Sequence, residues 1–209
     1  MSLFYKNNSA IYHVHIPRTG GRFITQTLLS NDYEIANHTC DDDVILYGIE
    51  CYHLHYPLYE YFEDVSSSLQ FTVCRNPITR FWSEFSTIAI KRSYTQEDIE
   101  PLDDYDNFCY WIDYERMVHH YAKNWFRPQH EFVSDKTIIW KFEDGLGNSF
   151  RSWFYELTGD KLEDKEYSYY GDEETELNPK RKEFTLSKSI MDNVCKYYQE
   201  DFKRFNYNE

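Results

Sequence analysis

The chain has 209 residues, enough for a sizeable core without disulfide or metal staples, and with 19% aromatic residues much of that core must be aromatic. A formal charge of −14 argues against nucleic acid and long polyanionic chains as partners, because the bulk field repels them. Five scattered cysteines without a C-x-x-C pair point to reduced thiols and a cytoplasmic setting, and no apolar run approaches the ~20 residues of a membrane-spanning helix.

In chain order, the first predicted element is a strand over 11–16, with Ile11, Tyr12, Val14 and Ile16 suited to burial. It runs through Pro17-Arg18-Thr19-Gly20-Gly21-Arg22 into a helix over 22–30, where Phe23, Ile24, Thr27 and Leu28 share one face. The glycine pair leaves backbone N–H groups open to a bulky anion, the helix N-terminus favours negative charge, and Arg18 and Arg22 bracket the turn. No G-x-x-x-x-G-K-[ST] occurs anywhere in the chain, so this is not a Walker A loop.

A variable stretch to about residue 44 precedes a strand-like segment over 45–55. If that segment is extended, His53 and His55 point to one side and Tyr52, Leu54 and Tyr56 to the other. An imidazole with an ordinary pKa of about 6.5 is a suitable proton acceptor. A second pair, His13 and His15, lies in the first strand, and Cys51 shares the alternate-residue face of His53 and His55. Without an Asp-rich signature or paired cysteines, no metal ligand is assigned.

A helix over 57–64 and a strand over 70–75 follow, and the strand delivers Arg75 where a magnesium-dependent enzyme would want a carboxylate. The next helix, 78–92, buries Ile78, Phe81, Trp82, Phe85, Ile88 and Ala89, leaving Arg80 and Ser83 on the opposite face, where Arg80 can pair with Glu84. A strand-end arginine and a helix-borne serine can converge on one phosphate. Beyond an acidic loop the pattern gives a helix over 106–122 carrying His119 and His120, a strand over 137–142, and a helix over 147–158. A long polar loop then contains the basic island Asn178-Pro179-Lys180-Arg181-Lys182, read as an exposed patch or a cover for a phosphate, and a C-terminal helix spans 187–204. Alternating strands and helices predict a single α/β domain over 1–209, with helices on both faces of the sheet and the ligand site beyond the carboxyl ends of the strands.

The two basic stretches resemble those of the carbohydrate-type sulfotransferases that use 3′-phosphoadenosine 5′-phosphosulfate. The first is similar to that family's I-P-K-T-G-G-T-S loop, and the second matches R-N-P-x-x-R-x-x-S in full, as Arg75, Asn76, Pro77, Arg80 and Ser83. The similarity continues through Trp125-Phe126-Arg127-Pro128-Gln129, through 138–143 and into 197–207. The resemblance implies a P-loop-like parallel sheet. It also implies that Arg18, Thr19, Gly20, Gly21 and Arg22 hold the 5′-phosphosulfate and that Arg75 and Ser83 hold the 3′-phosphate. Similarity to the uronyl 2-O-sulfotransferase branch favours His55 as catalytic base with His53 as assistant, and Arg18 as the cation at the leaving group. The implied reaction needs no metal and delivers a sulfuryl group to a hydroxyl of a sugar or glycosylated small molecule, leaving 3′-phosphoadenosine 5′-phosphate. The chain departs from the family in having Arg18 for the loop lysine and Arg22-Phe23 for Thr-Ser. Two rival readings are a catalytically silent module binding the same nucleotide and a magnesium-dependent phosphotransferase.

Overall fold

The computed structural model describes residues 2–7, 9–35, 45–46, 49–50, 53–62, 65, 68–118, 124–165 and 185–208. Among these, five strands form one mixed sheet in the order β3-β1-β2-β6-β7. The strands are β1 (Ser2–Lys6), β2 (Ser9–Val14), β3 (Glu34–Ile35), β6 (Leu69–Cys74) and β7 (Ile138–Lys141), while β4 (Ile45–Leu46) and β5 (Ile49–Glu50) pair separately. The pairs β2–β6 and β6–β7 are parallel, so Val14 and Cys74 close neighbouring strands at the same edge. β1 adds to β2 as an antiparallel hairpin, with Phe4 opposite Ile11, and β3 adds to β1. Sequence patterning anticipates the parallel part alone; the antiparallel extension is new.

Alternation along the strands sorts the core into two faces. Ile11, Phe71 and Val73 face α1 (Gly21–Ser30) and α6 (Asn148–Thr158), packing on Ile24, Leu28, Phe150 and Phe154. Tyr12, Val14 and Cys74 face the other way, onto Leu54, Tyr59 of α2 (Leu58–Phe62), Phe132 and Phe205. A third cluster joins α3 (Pro77–Lys91), α5 (Tyr105–Val118), α7 (Lys188–Tyr197) and α8 (Gln199–Arg204), with the short α4 (Gln96–Ile99) alongside.

The start of α3 follows from its dipeptide. The Asn76 side chain accepts from the Ile78 and Thr79 amides at 3.0 and 3.3 Å, and Pro77 takes the first turn, where its missing N–H costs nothing. The segment expected as a strand over 45–55 is instead the short β4–β5 pair followed by an irregular turn at His53. The helix expected over 187–204 breaks at Tyr198, which is buried and donates its hydroxyl to the Phe126 carbonyl at 2.8 Å. Cys40, Cys51, His119, His120 and the basic island 178–182 lie outside the described residues.

Candidate active site

Both basic motifs leave the sheet at the carboxyl ends of neighbouring parallel strands, so their loops meet. Arg18 and Gly20 both adopt left-handed backbone, φ 67° and 88°, which turns the chain from β2 into α1. Gly20 takes this conformation without penalty, whereas Arg18 pays about 1–2 kcal/mol for it. The Thr19 hydroxyl donates to the Ile16 carbonyl at 2.8 Å, so it braces the turn. α1 begins at Gly21 with no acidic residue in its first turn, and its first N–H groups have no intrahelical acceptor. Arg22 is exposed beside them.

The second motif grips the carbonyl side of this loop. Arg80 donates from Nε to the Pro17 carbonyl at 3.0 Å and from its terminal amino group to the Trp125 carbonyl at 2.8 Å. It is 2% exposed, which corrects its expected place on a solvated helix face. Arg75 donates to the Arg18 carbonyl at 3.2 Å and to the Thr79 hydroxyl at 3.1 Å, with its guanidinium 4.6 Å from the centre of the Phe142 ring. Its own main chain is clamped by the Gln129 amide, which accepts from Arg75 N at 3.0 Å and donates to Arg75 O at 2.7 Å.

Arg18 does not stand as an isolated cation. Its Nε lies 2.6 Å from a Glu84 carboxylate oxygen, its terminal amino group donates to Thr87 at 3.0 Å, and its guanidinium lies 4.8 Å from the Trp125 ring centre. Glu84 therefore pairs with Arg18 and not with Arg80, because α3 turns its inner face to the loop. Burial pushes the Glu84 carboxyl upward and the Arg18 charge opposes it. Thr87 also donates to the Ser83 carbonyl at 3.0 Å, which brings Ser83, half-buried, beside the same segment. Arg75, in the loop just before α3, and Ser83, on α3, thus flank Arg18, the first bonding its carbonyl and the second linked to its guanidinium through Thr87.

Gly21 is glycine for a steric reason. A Cβ there would fall 1.9 Å from Nε2 of His15, whose imidazole packs on the first turn of α1. His15 stacks on His13, with centroids 5.5 Å apart, and meets His53 edge-on at 4.7 Å; His53 in turn meets Trp125 at 5.4 Å. This row runs from the core to the loop wall. His13 is buried with neither ring nitrogen hydrogen-bonded, and burial drives its pKa down to about 3. His15 is likewise pushed down, by burial first and then by the other two imidazoles. Among the described residues, no group of three or more histidine, cysteine, aspartate or glutamate side chains is arranged to hold a metal ion.

His53 and His55 do not share one alternating face, since His53 and Leu54 are both buried and His55 is half-buried. Asn124 links the two instead, donating to the His53 carbonyl and lying 3.3 Å from Nδ1 of His55. Burial, then Arg127, lowers the His55 pKa to about 4, so the imidazole is neutral at neutral pH and its titration lies well below 6.5. Of the positioning groups, Trp125 and Gln129 fall within the Trp125–Gln129 similarity and Glu84 was read only as a neighbour of Arg80, while Asn124 carries no sequence signal.

A glycine turn at parallel strand ends, buttressed by arginines from the loop and helix that follow the next strand, sits in an α/β fold with a mixed sheet. The Sulfotransferase family model matches residues 1–208, and the chain belongs to that family, making it a transferase of the sulfotransferase kind. Neither the search of curated proteins nor that of solved structures gave a match. No described helix is long and apolar enough to cross a membrane.

Proposed function

We propose that residues 1–209 form one catalytic domain, cytoplasmic, that moves a sulfuryl group from 3′-phosphoadenosine 5′-phosphosulfate to a hydroxyl of a sugar or glycosylated small molecule. The observation that carries the reading is the hydrogen bond from Arg75 to the Arg18 carbonyl, which joins the two motifs in one site. Gly20 and Gly21 add no side chain of their own at the N-terminus of α1, and a first turn without acidic residues suits the donor's 5′ anion. When bound, the donor supplies the sulfuryl group: the acceptor oxygen bonds to sulfur, the bridging S–O bond breaks, and its electron pair leaves on the 5′-phosphate. Thr19, Gly20, Gly21 and Arg22 line the 5′ side through backbone N–H groups and the Arg22 charge. Arg18 offsets charge that develops there, though Glu84 tempers it. Arg75 and Ser83 serve the 3′-phosphate. An imidazole of the His53–His55 segment takes the acceptor proton.

Arg75→Ala is expected to weaken 3′-phosphoadenosine 5′-phosphate by about 1.5–3 kcal/mol, the worth of a hydrogen bond to a charged group. Ser83→Ala costs less. Calorimetric titration with adenosine 5′-phosphate as control decides the matter: a parent that binds both nucleotides equally has no 3′-phosphate clamp. The Arg18–Glu84 pair favours a second reading, a nucleotide-binding module without turnover, which predicts donor binding and no labelled product with any acceptor.

A further inference from the structure

We propose that Asn124 is a positioning residue that holds the His55 imidazole with its proton on Nε2, making His55 a hydrogen-bond donor at the acceptor side and not the proton acceptor. The inference rests on the sulfotransfer reading for its role but on local geometry for its substance. The Asn124 amide has only one orientation that satisfies its neighbours. Its Oδ1 accepts from Nε of Arg127 at 2.7 Å, and an arginine Nε can only donate. Its Nδ2 donates to the His53 carbonyl, which can only accept. Two independent neighbours therefore fix which end of the amide is which, and the end facing Nδ1 of His55 at 3.3 Å is the NH2 group.

Nδ1 must then present its lone pair, and in the neutral ring the proton is on Nε2. A ring held this way has no lone pair to offer at Nε2. The side chain that would orient a histidine base does the opposite, accepting a hydrogen bond from Nδ1–H so that Nε2 keeps its lone pair. Asn124 is itself anchored, being 2% exposed and tied to Arg127, whose guanidinium also pairs with Glu131. Of the two imidazoles in the segment, His53 is the one packed against His15 and Trp125, the groups touching Gly21 and the Arg18 guanidinium. With His55 as hydrogen-bond donor, His53 is the imidazole of the segment that the sulfotransfer reading leaves to take the acceptor proton.

The test has two readouts. In the full chain with 15N-labelled histidine, the ring nitrogens of His55, assigned by the signal lost in His55→Gln, should show a protonated Nε2 and a bare Nδ1 at neutral pH. Asn124→Asp, whose carboxylate can only accept, should move that proton to Nδ1. A His55 with Nδ1 protonated in the parent overturns the proposal, as does a tautomer unchanged in Asn124→Asp. For turnover, His55→Gln keeps an N–H donor but no base, and should recover at least tenfold of what His55→Ala loses, about the worth of one hydrogen bond. A glutamine variant as inactive as the alanine variant assigns proton removal to His55 and overturns the donor role. If the parent transfers no sulfuryl group to any acceptor, the proposed function fails, and the nitrogen signals still decide the role of Asn124.

Discussion

Replacing Gly21 by alanine tests the packing that seats the glycine turn. The added Cβ would sit 1.9, 2.1 and 2.5 Å from three atoms of the His15 ring, all well inside contact distance. The ring cannot simply swing aside, because it is stacked on His13 on one side and abuts His53 on another. Overpacking of this kind costs about 1–3 kcal/mol, and the better helix propensity of alanine returns less than about 1 kcal/mol at a first-turn position. A net loss of about 1–2 kcal/mol is expected, seen in urea as a lower midpoint at unchanged slope and on heating as a fall in Tm of about 2–4 °C per kcal/mol. Adding His15→Ala removes the obstructing ring, so the double variant should regain part of the loss contributed by Gly21→Ala, with a coupling of about 0.5–3 kcal/mol. A Gly21→Ala protein as stable as the parent, or a double variant with additive effects, refutes the steric account.

The clamp on Arg75 gives a second expectation. Gln129→Leu keeps the volume but leaves the Arg75 N–H and C=O without the amide that holds them at 3.0 and 2.7 Å, at about 1–3 kcal/mol for each group left unpaired. It should lower both unfolding stability and affinity for the bisphosphate nucleotide; wild-type affinity would show that Gln129 does not position Arg75. His13 supplies a pH-dependent one. Its folded pKa of about 3 lies below the ordinary 6.5, so between those values the unfolded chain binds a proton that the native state refuses, and stability falls as pH drops through that window by about 1.4 kcal/mol per unit. His13→Phe, which keeps a ring stacked on Phe71, should therefore gain on the parent at pH 5 relative to pH 7 in urea unfolding curves. A difference that does not change with pH would show that His13 is not buried neutral.

Local pattern was enough to read the parallel strands β2, β6 and β7 and the helices that follow them, because a buried strand and an amphipathic helix each write their period into adjacent residues. The Asn76-Pro77 start of α3 was equally legible, since a cap and a first-turn proline act within three residues of themselves. The two basic motifs, in order and each at a strand end, carried the family on their own. β1 was not legible: Leu3 and Phe4 are buried, but Tyr5, Lys6 and Asn7 break the pattern, and the strand exists because β2 offers it a partner.

What the tertiary structure decided is which charges and rings meet. Arg80 passes for a surface residue until the Pro17 and Trp125 carbonyls, 63 and 45 positions away, are seen to converge on it. Glu84 was a neighbour of Arg80 in sequence and became the partner of Arg18 in space. The His53–His55 spacing suggested a shared face, but the chain is irregular there, and the orientation of each ring is set by groups from distant segments, His15 and Trp125 for one and Asn124 for the other. Hydrophobic period is a property of consecutive residues and survives in the sequence. Hydrogen-bond orientation and ion pairing depend on distances between residues far apart in the chain, and those distances exist only once the chain has folded.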